Sequence, residues 1–105
     1  AIYTMSKFAL HGLAMSLADE YAKDGIKINC VAPGFIYIDE TSIPGRGKER
    51  NEFLANKIPA KRLGQPEEIG NTVKWLVSKE SDYISGQVIV VDGGFQNSGS
   101  RGEPF

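Results

Sequence analysis

Two short apolar runs constrain the fold of this 105-residue chain more than any other feature. Residues 26–31 (IKINCV) are rich in β-branched side chains and precede Pro33-Gly34, and residues 87–91 (QVIVV) precede Gly93-Gly94. Runs of this length and composition are typical of strands, and the second is apolar enough for a strand covered on both faces. Helical sequence lies between them, and strands separated by helices commonly pair in parallel. The sequence therefore predicts an α/β fold with a parallel sheet.

Three segments carry the pattern of helices. Residues 1–23 repeat apolar side chains at helical spacing, and Gly25 stands in the usual position just past a helix end. Residues 48–57 predict a short helix, and residues 65–79 predict a third that opens with a proline and two carboxylates. The first helix has two apolar faces, so we expect a sheet to cover one face and a partner subunit or a further helix to cover the other.

Two strands are too few for a stable open sheet. Because the chain also opens inside a helix, we expect it to be the C-terminal part of a longer protein, with residues 1–95 belonging to one domain. Residues 37–57 form a long mixed connection, which in a compact domain is often a lid over a ligand. Residues 96–105 contain few apolar side chains, and we expect a flexible tail there.

Composition narrows the class of protein. The formal net charge is -1, which argues against a nucleic-acid surface because such a surface needs clustered basic charge. No apolar run approaches the roughly 18 residues of a membrane helix, and no signal peptide is visible. Cys30 is the single cysteine, which excludes an internal disulfide framework. We therefore expect a soluble, cytoplasmic protein without nucleic-acid or membrane partners.

Tyr3 and Lys7 form a candidate catalytic pair. Their spacing of four residues places both side chains on one helix face. An ammonium about 4 Å from a phenolate attracts it by roughly 4 kcal/mol at an effective dielectric of about 20, enough to lower a tyrosine pKa by up to about three units. Such a tyrosine could donate a proton to a developing alkoxide. The same spacing also fits an ordinary packed ring beside a solvated lysine.

The Pro33-Gly34 pair is a second candidate site. Ligands of open α/β sheets bind beyond the carboxyl ends of the strands, and glycine lets the main chain approach a ligand closely. An ordinary turn at the end of a strand is the alternative interpretation. The 105 residues contain no metal-ligand spacing and no G-x-G-x-x-G phosphate loop.

Four motifs occur together and in a fixed order: YTMSK at residues 3–7, NCVAPGFI at 29–36, RLGQPEEI at 62–69, and YISGQ at 83–87 running into VDGG at 91–94. In this arrangement the chain resembles the C-terminal portion of the classical short-chain dehydrogenase/reductase family. The resemblance is strongest to members like 3-oxoacyl-[acyl-carrier-protein] reductase, with sugar and polyol dehydrogenases close behind.

The resemblance implies a Rossmann-like, doubly wound parallel sheet and hydride transfer between NAD or NADP and a carbonyl or alcohol. It implies Tyr3 as the general acid and base and as a cofactor-binding residue, with Lys7 lowering the tyrosine pKa and holding the nicotinamide ribose. Pro33 and Gly34 would lie along the nicotinamide, and the Ile36 main chain would meet its carboxamide. Residues 37–57 would cover a small-molecule or acyl-thioester substrate. The first helix and the last strand would form a homodimer or homotetramer.

The chain departs from the family pattern in three ways, one of which is a tail after Gly94 that is longer than usual. The glycine-rich cofactor loop, the catalytic serine and the supporting asparagine are not among the 105 residues, so we expect this polypeptide alone to be inactive. Close relatives carry threonine where this chain has Ile38, with Thr41 three residues further on. Two alternatives stay open: a sugar or polyol dehydrogenase of the same family, and a non-catalytic oligomerisation module.

Overall fold

The computed structural model describes residues 1–39, 41 and 47–97. Three helices, α1 (Ile2–Tyr21), α2 (Gly47–Lys57) and α3 (Pro66–Leu76), and two strands, β1 (Cys30–Pro33) and β2 (Val88–Val91), follow one another in the order α1-β1-α2-α3-β2. The predicted α/β class and all three predicted helices are confirmed. The contacts divide the chain into two units, residues 1–32 with 71–89 and residues 33–70 with 90–105.

β1 and β2 form a two-stranded parallel sheet. The Cys30 N–H donates to the Gln87 carbonyl at 2.8 Å, and the Gly34 N–H donates to the Val91 carbonyl at 2.9 Å. Both partners advance by four residues in the same direction, which is the register of parallel strands. The β2 residues are half-buried or exposed rather than covered on both faces, because a sheet of two strands gives each residue few neighbours.

The predicted start of the first strand is wrong: residues 26–31 were expected, and β1 covers Cys30–Pro33. The Ile26 N–H turns back to the Tyr21 carbonyl at 3.3 Å and so closes the helix end instead of joining a ladder. Asn29 then makes its contacts through its side chain, which donates to the Ile84 carbonyl at 3.1 Å and accepts from the Gln87 N–H at 3.0 Å. The Asn29 side-chain bonds, with one main-chain bond from the Gly86 N–H to the Ile28 carbonyl at 2.8 Å, therefore precede the ladder on this strand.

In the first unit, α1 contacts its surroundings mainly through Ala18. Ala18 is buried, and a Cβ placed on Gly86 would lie 3.5 Å from the Ala18 methyl group. The large apolar side chains of α1 are exposed instead, with Met5 at 68% and Phe8 at 71%. Within the part of the chain that the structure describes, the two expected covers of α1 are thus largely lacking.

In the second unit, the core is formed by Leu54, Ile58 and Leu63, with Phe35 and Phe95 packed against it. The two phenylalanine rings meet edge to face at 5.1 Å between centroids. α2 contributes to this core and is tied to the segment after β1, since the buried Asn51 side chain donates to the Ile38 carbonyl at 3.2 Å.

The expected lid and tail are described only in part. Residues 40 and 42–46 of the 37–57 connection lie outside the described residues, and so do residues 98–105 of the tail. No helix in the described part of the chain has both the length and the apolar character needed to cross a membrane. Among the same residues, no group of three or more His, Cys, Asp or Glu side chains is placed to hold a metal ion.

Candidate active site

Tyr3 and Lys7 lie on one face of α1, as their spacing predicts. The Lys7 Nζ is 5.5 Å from the centroid of the Tyr3 ring. The first turn of the helix is already formed here, since the Met5 N–H donates to the Ala1 carbonyl at 2.9 Å. Tyr3 is 74% exposed, so its phenol is open to a ligand. The ammonium lies over the ring, and the same helix face presents one hydroxyl that can donate and accept a hydrogen bond.

The Pro33-Gly34 turn lies in the second unit, directly after β1. Gly34 leaves no room for a side chain, because a Cβ on it would lie 2.6 Å from the Asp92 Cβ and 2.8 Å from the Asp92 Cα. Its N–H is bonded to the Val91 carbonyl. The turn is therefore held against the end of β2 by a main-chain hydrogen bond and by direct contact.

Asp92 organises the chain that follows β2. Its Oδ1 accepts from the Gly94 N–H at 2.9 Å, and its Oδ2 accepts from the Gln96 N–H at 2.7 Å. Gly93 and Gly94 have φ of +64° and +91°, a region that favours glycine, so the glycine pair permits this turn. The sequence had predicted only that a strand ends here, and the role of Asp92 was missed.

Ile36 pairs with Gly64 in an isolated parallel bridge. The Gly64 N–H donates to the Phe35 carbonyl at 3.0 Å, and the Tyr37 N–H donates to the Gly64 carbonyl at 2.7 Å. In such a bridge the N–H and C=O of the central residue point to the opposite side. Among the residues that the structure describes, none bonds to the Ile36 main chain, so one donor and one acceptor remain there for a ligand.

Arg62 and Glu68 close the turn that contains Gly64. The guanidinium donates twice to the carboxylate, at 2.9 and 2.8 Å. The Gln65 N–H also donates to Glu68 at 2.7 Å, which caps the first turn of α3. The hydrogen bond from Arg62, followed by that from the Gln65 N–H, lowers the pKa of Glu68 to about 2, and the same pair raises the pKa of Arg62.

Acid should remove the stabilising effect of this pair, which is small because both side chains are partly exposed. The folded pKa of Glu68 lies below its ordinary value of 4.5, so its contribution to stability is present above about pH 4.5 and is lost as the pH falls toward about 2. We expect the difference in thermal midpoint between the wild type and Glu68→Gln to be largest at neutral pH and to close over this range. Glu67→Gln removes the same charge from an exposed neighbour in the same turn and is the control for the loss of charge alone. A Glu68→Gln difference that stays constant with pH would contradict the assignment.

A small cleft of about 60 Å³ lies in the second unit at these residues, lined among others by Phe35, Ile36, Arg62, Gly64, Glu68 and Asp92. Ile38, at the family's threonine position, is 43% exposed, and its carbonyl accepts from Asn51. The Thr41 N–H donates to the Asp39 carboxylate at 3.0 Å. Gly64, Arg62 and Glu68 were not predicted as site residues; a carboxylate placed to cap a proline-started helix was the signal that could have found Glu68.

The predicted site residues fall into two local groups. Tyr3 and Lys7 are together on α1 in the first unit, and Pro33, Gly34 and Ile36 are together on the segment after β1 in the second unit. Their catalytic and cofactor-binding roles stay predictions.

Comparison with known proteins supports the resemblance. A family model described as Enoyl-(Acyl carrier protein) reductase matches residues 1–96. The 2-dehydro-3-deoxy-D-gluconate 5-dehydrogenase of Bacillus subtilis (strain 168) is 44% identical over 93 residues, covering 89% of this chain and 37% of that protein. The 3-oxoacyl-[acyl-carrier-protein] reductase FabG of Rickettsia bellii (strain RML369-C) is 47% identical over 94 residues, covering 90% of this chain and 38% of that protein.

A solved structure agrees with these relatives. The crystal structure of a short chain dehydrogenase family protein from Francisella tularensis subsp. tularensis SCHU S4 superposes with a TM-score of 0.80 at 30% identity, covering 91% of this chain and 43% of that one. This chain therefore spans less than half the length of the proteins it matches, and the shared part has the Rossmann-like parallel architecture. With the family model matched over residues 1–96, the chain belongs to the short-chain dehydrogenase/reductase family.

Proposed function

We propose that the protein carrying this chain is an NAD- or NADP-dependent oxidoreductase that interconverts a carbonyl and an alcohol, with a 3-oxoacyl thioester as its substrate. The observation that carries the proposal is the exposed Tyr3–Lys7 pair, held on one helix face with 5.5 Å between the ammonium and the ring centroid. The two relatives are named a dehydrogenase and a reductase, which are opposite directions of one reaction.

The segment after β1 fits the nicotinamide end of such a cofactor. Ile36 offers a main-chain donor and a main-chain acceptor on the side away from Gly64, and a carboxamide offers the complementary acceptor and donor. Gly34 lies two residues before Ile36, so its main chain belongs to the same segment as the proposed carboxamide contact. When bound, the nicotinamide would give or take the hydride.

The two α1 residues would handle the proton. The Tyr3 phenol would donate its proton to the substrate oxygen as that oxygen becomes an alkoxide, and it would take the proton back in the reverse direction. The Lys7 ammonium would favour the phenolate that remains and would offer N–H donors to ribose hydroxyls. Both side chains are exposed on α1, Tyr3 by 74%, so neither would have to leave the core to reach a substrate.

The substrate class is tested with the full gene product that carries this chain. We expect it to consume reduced nicotinamide when given an acetoacetyl thioester, followed by the fall in cofactor absorbance. A 2-dehydro-3-deoxy sugar acid, assayed in parallel with the oxidised cofactors NAD⁺ and NADP⁺ and followed by the rise in cofactor absorbance, tests the sugar-dehydrogenase alternative that the Bacillus relative supports. Faster turnover of the sugar acid would replace the thioester as substrate. An absence of turnover with every carbonyl and alcohol tried would contradict the enzymatic proposal.

Self-association is part of the same proposal. The second apolar face of α1 is exposed at Met5, Phe8 and Met15, which are 68%, 71% and 51% exposed. We infer that this face meets a second copy of the protein, giving a homodimer or homotetramer. Native mass spectrometry of the assayed sample separates the alternatives, because an oligomer that neither binds nor oxidises a nicotinamide cofactor would support the non-catalytic module.

A further inference from the structure

We propose that the ion pair between Arg62 and Glu68 positions the Ile36 main chain for the cofactor carboxamide. The proposal rests on the cofactor-binding role given to Ile36 above and adds two positioning residues to it. Neither side chain needs to touch the cofactor for this effect. The argument has three steps, each made of contacts within the second unit.

The first step is the closure of the turn. Glu68 receives three N–H groups, two from the Arg62 guanidinium and one from the Gln65 main chain. Arg62 also donates to the Leu63 carbonyl at 3.2 Å. Leu63 itself is buried in the core cluster, so the turn is held by this packing as well as by the ion pair. A planar, two-pronged guanidinium–carboxylate contact fixes direction as well as distance.

The second step is the coupling of this turn to the segment after β1. Gly64, in the middle of the turn, is hydrogen-bonded on both sides of Ile36, at 3.0 Å to Phe35 and at 2.7 Å to Tyr37. The Ile36 side chain also packs on Gly64, because a Cβ there would lie 2.8 Å from the Ile36 Cδ1. A rotation of the Gly64 peptide groups would therefore rotate the Ile36 peptide groups with it.

The third step is the direction in which the main-chain N–H and C=O of Ile36 can bind a ligand. Since both ladder bonds are made by its neighbours, its own N–H and C=O face away from Gly64. The two side chains of the pair are 60% and 39% exposed, and exposed ion pairs contribute little to stability. The consequence of the pair is therefore geometric, and its loss should appear in ligand binding more than in folding.

The experiment compares two ligands on the full gene product. Glu68→Gln should raise the dissociation constant of the intact oxidised cofactor by about three- to tenfold, the cost of one weakened hydrogen-bonded contact. It should leave the dissociation constant of ADP-ribose unchanged, because this fragment lacks the nicotinamide and its carboxamide. Glu67→Gln removes the same charge from the same helical turn and should change neither constant. Isothermal titration calorimetry measures these four dissociation constants, two for each variant, against those of the wild type.

A second variant guards against a folding defect. Arg62→Lys keeps the positive charge but cannot make the two-pronged contact, so it should show the same selective loss on a smaller scale. Equal weakening of both ligands, or no weakening of either, in the two variants would overturn the positioning role while leaving the proposed function intact. A wild type that binds ADP-ribose and the intact cofactor with equal affinity would also overturn it, since Ile36 would then contribute nothing. A wild type that binds neither ligand would overturn the proposed function and this inference with it.

Discussion

Replacing Tyr3 with phenylalanine in the full gene product should lower kcat by about 10²- to 10⁴-fold, the range of positioned acid–base catalysis. The change removes one hydroxyl and keeps the ring that lies 5.5 Å from the Lys7 ammonium. Because Tyr3 is 74% exposed, the substitution leaves core packing unchanged. Cofactor affinity should stay within about twofold, as expected for a surface substitution that removes no cofactor contact beyond one hydroxyl.

Tyr21→Phe supplies the matched control at the other end of α1. Tyr21 is 39% exposed and lies at the last residue of the helix, so the same loss of a hydroxyl should leave kcat unchanged. Steady-state rates measured with saturating cofactor and substrate give the comparison. Undiminished turnover in Tyr3→Phe would remove Tyr3 from the proton-transfer step.

Replacing Gly34 with alanine should have the second largest effect, and this effect should reach both stability and cofactor binding. The added methyl group would lie 2.6 Å from the Asp92 Cβ and 2.8 Å from the Asp92 Cα. Since the Cα belongs to the main chain, the clash cannot be relieved by turning a flexible side chain. We expect a loss of about 1–3 kcal/mol in the free energy of unfolding, the usual cost of overpacking. Urea denaturation and cofactor titration of the same variant measure the two effects.

Gly70→Ala is the opposite case within the same unit. Gly70 lies inside α3, and nothing is found within 4 Å of a Cβ placed on it. Alanine there should stabilise the protein by about 0.5–1 kcal/mol, because glycine is costly in the middle of a helix.

A Gly34→Ala variant as stable as the wild type, with unchanged cofactor affinity, would show that the turn can move away from Asp92.

The secondary structure was predictable where it depends on neighbours in sequence. Gly25 ends the first helical segment because glycine readily adopts a positive φ, here +76°. α3 starts at Pro66 because the fixed φ of proline suits the first position of a helix. The start of β1 was not predictable in this way. Residues 26–29 have strand composition, but the Asn29 side chain bonds to Ile84 and Gln87. These partners are distant in sequence, so a local sequence pattern does not predict them.

The candidate site shows the same difference between features set by local sequence and features set by distant residues. Tyr3 and Lys7 could be proposed from the sequence, because a spacing of four residues on a helix brings two side chains together whatever else the chain does. Pro33 and Gly34 could be proposed because they end an apolar run. Which main-chain groups of Ile36 remain open to a ligand could not be foreseen, since this depends on Gly64, a residue distant in sequence.

Fold class and the candidate acid–base pair could thus be inferred from residue order, since helical spacing and strand-ending turns are short-range properties of a chain. The family was indicated separately, by the resemblance of four motifs in a fixed order. The close fit of Gly34 against Asp92, and the bridge that leaves the Ile36 peptide groups free, needed the three-dimensional pairing. Hydrogen bonds and van der Waals contacts between distant segments depend on where each strand and turn is placed by the rest of the fold. For that reason the Arg62–Glu68 pair, for which we propose a positioning role, and the hydrogen bonds of Asp92 could be found only in the three-dimensional structure.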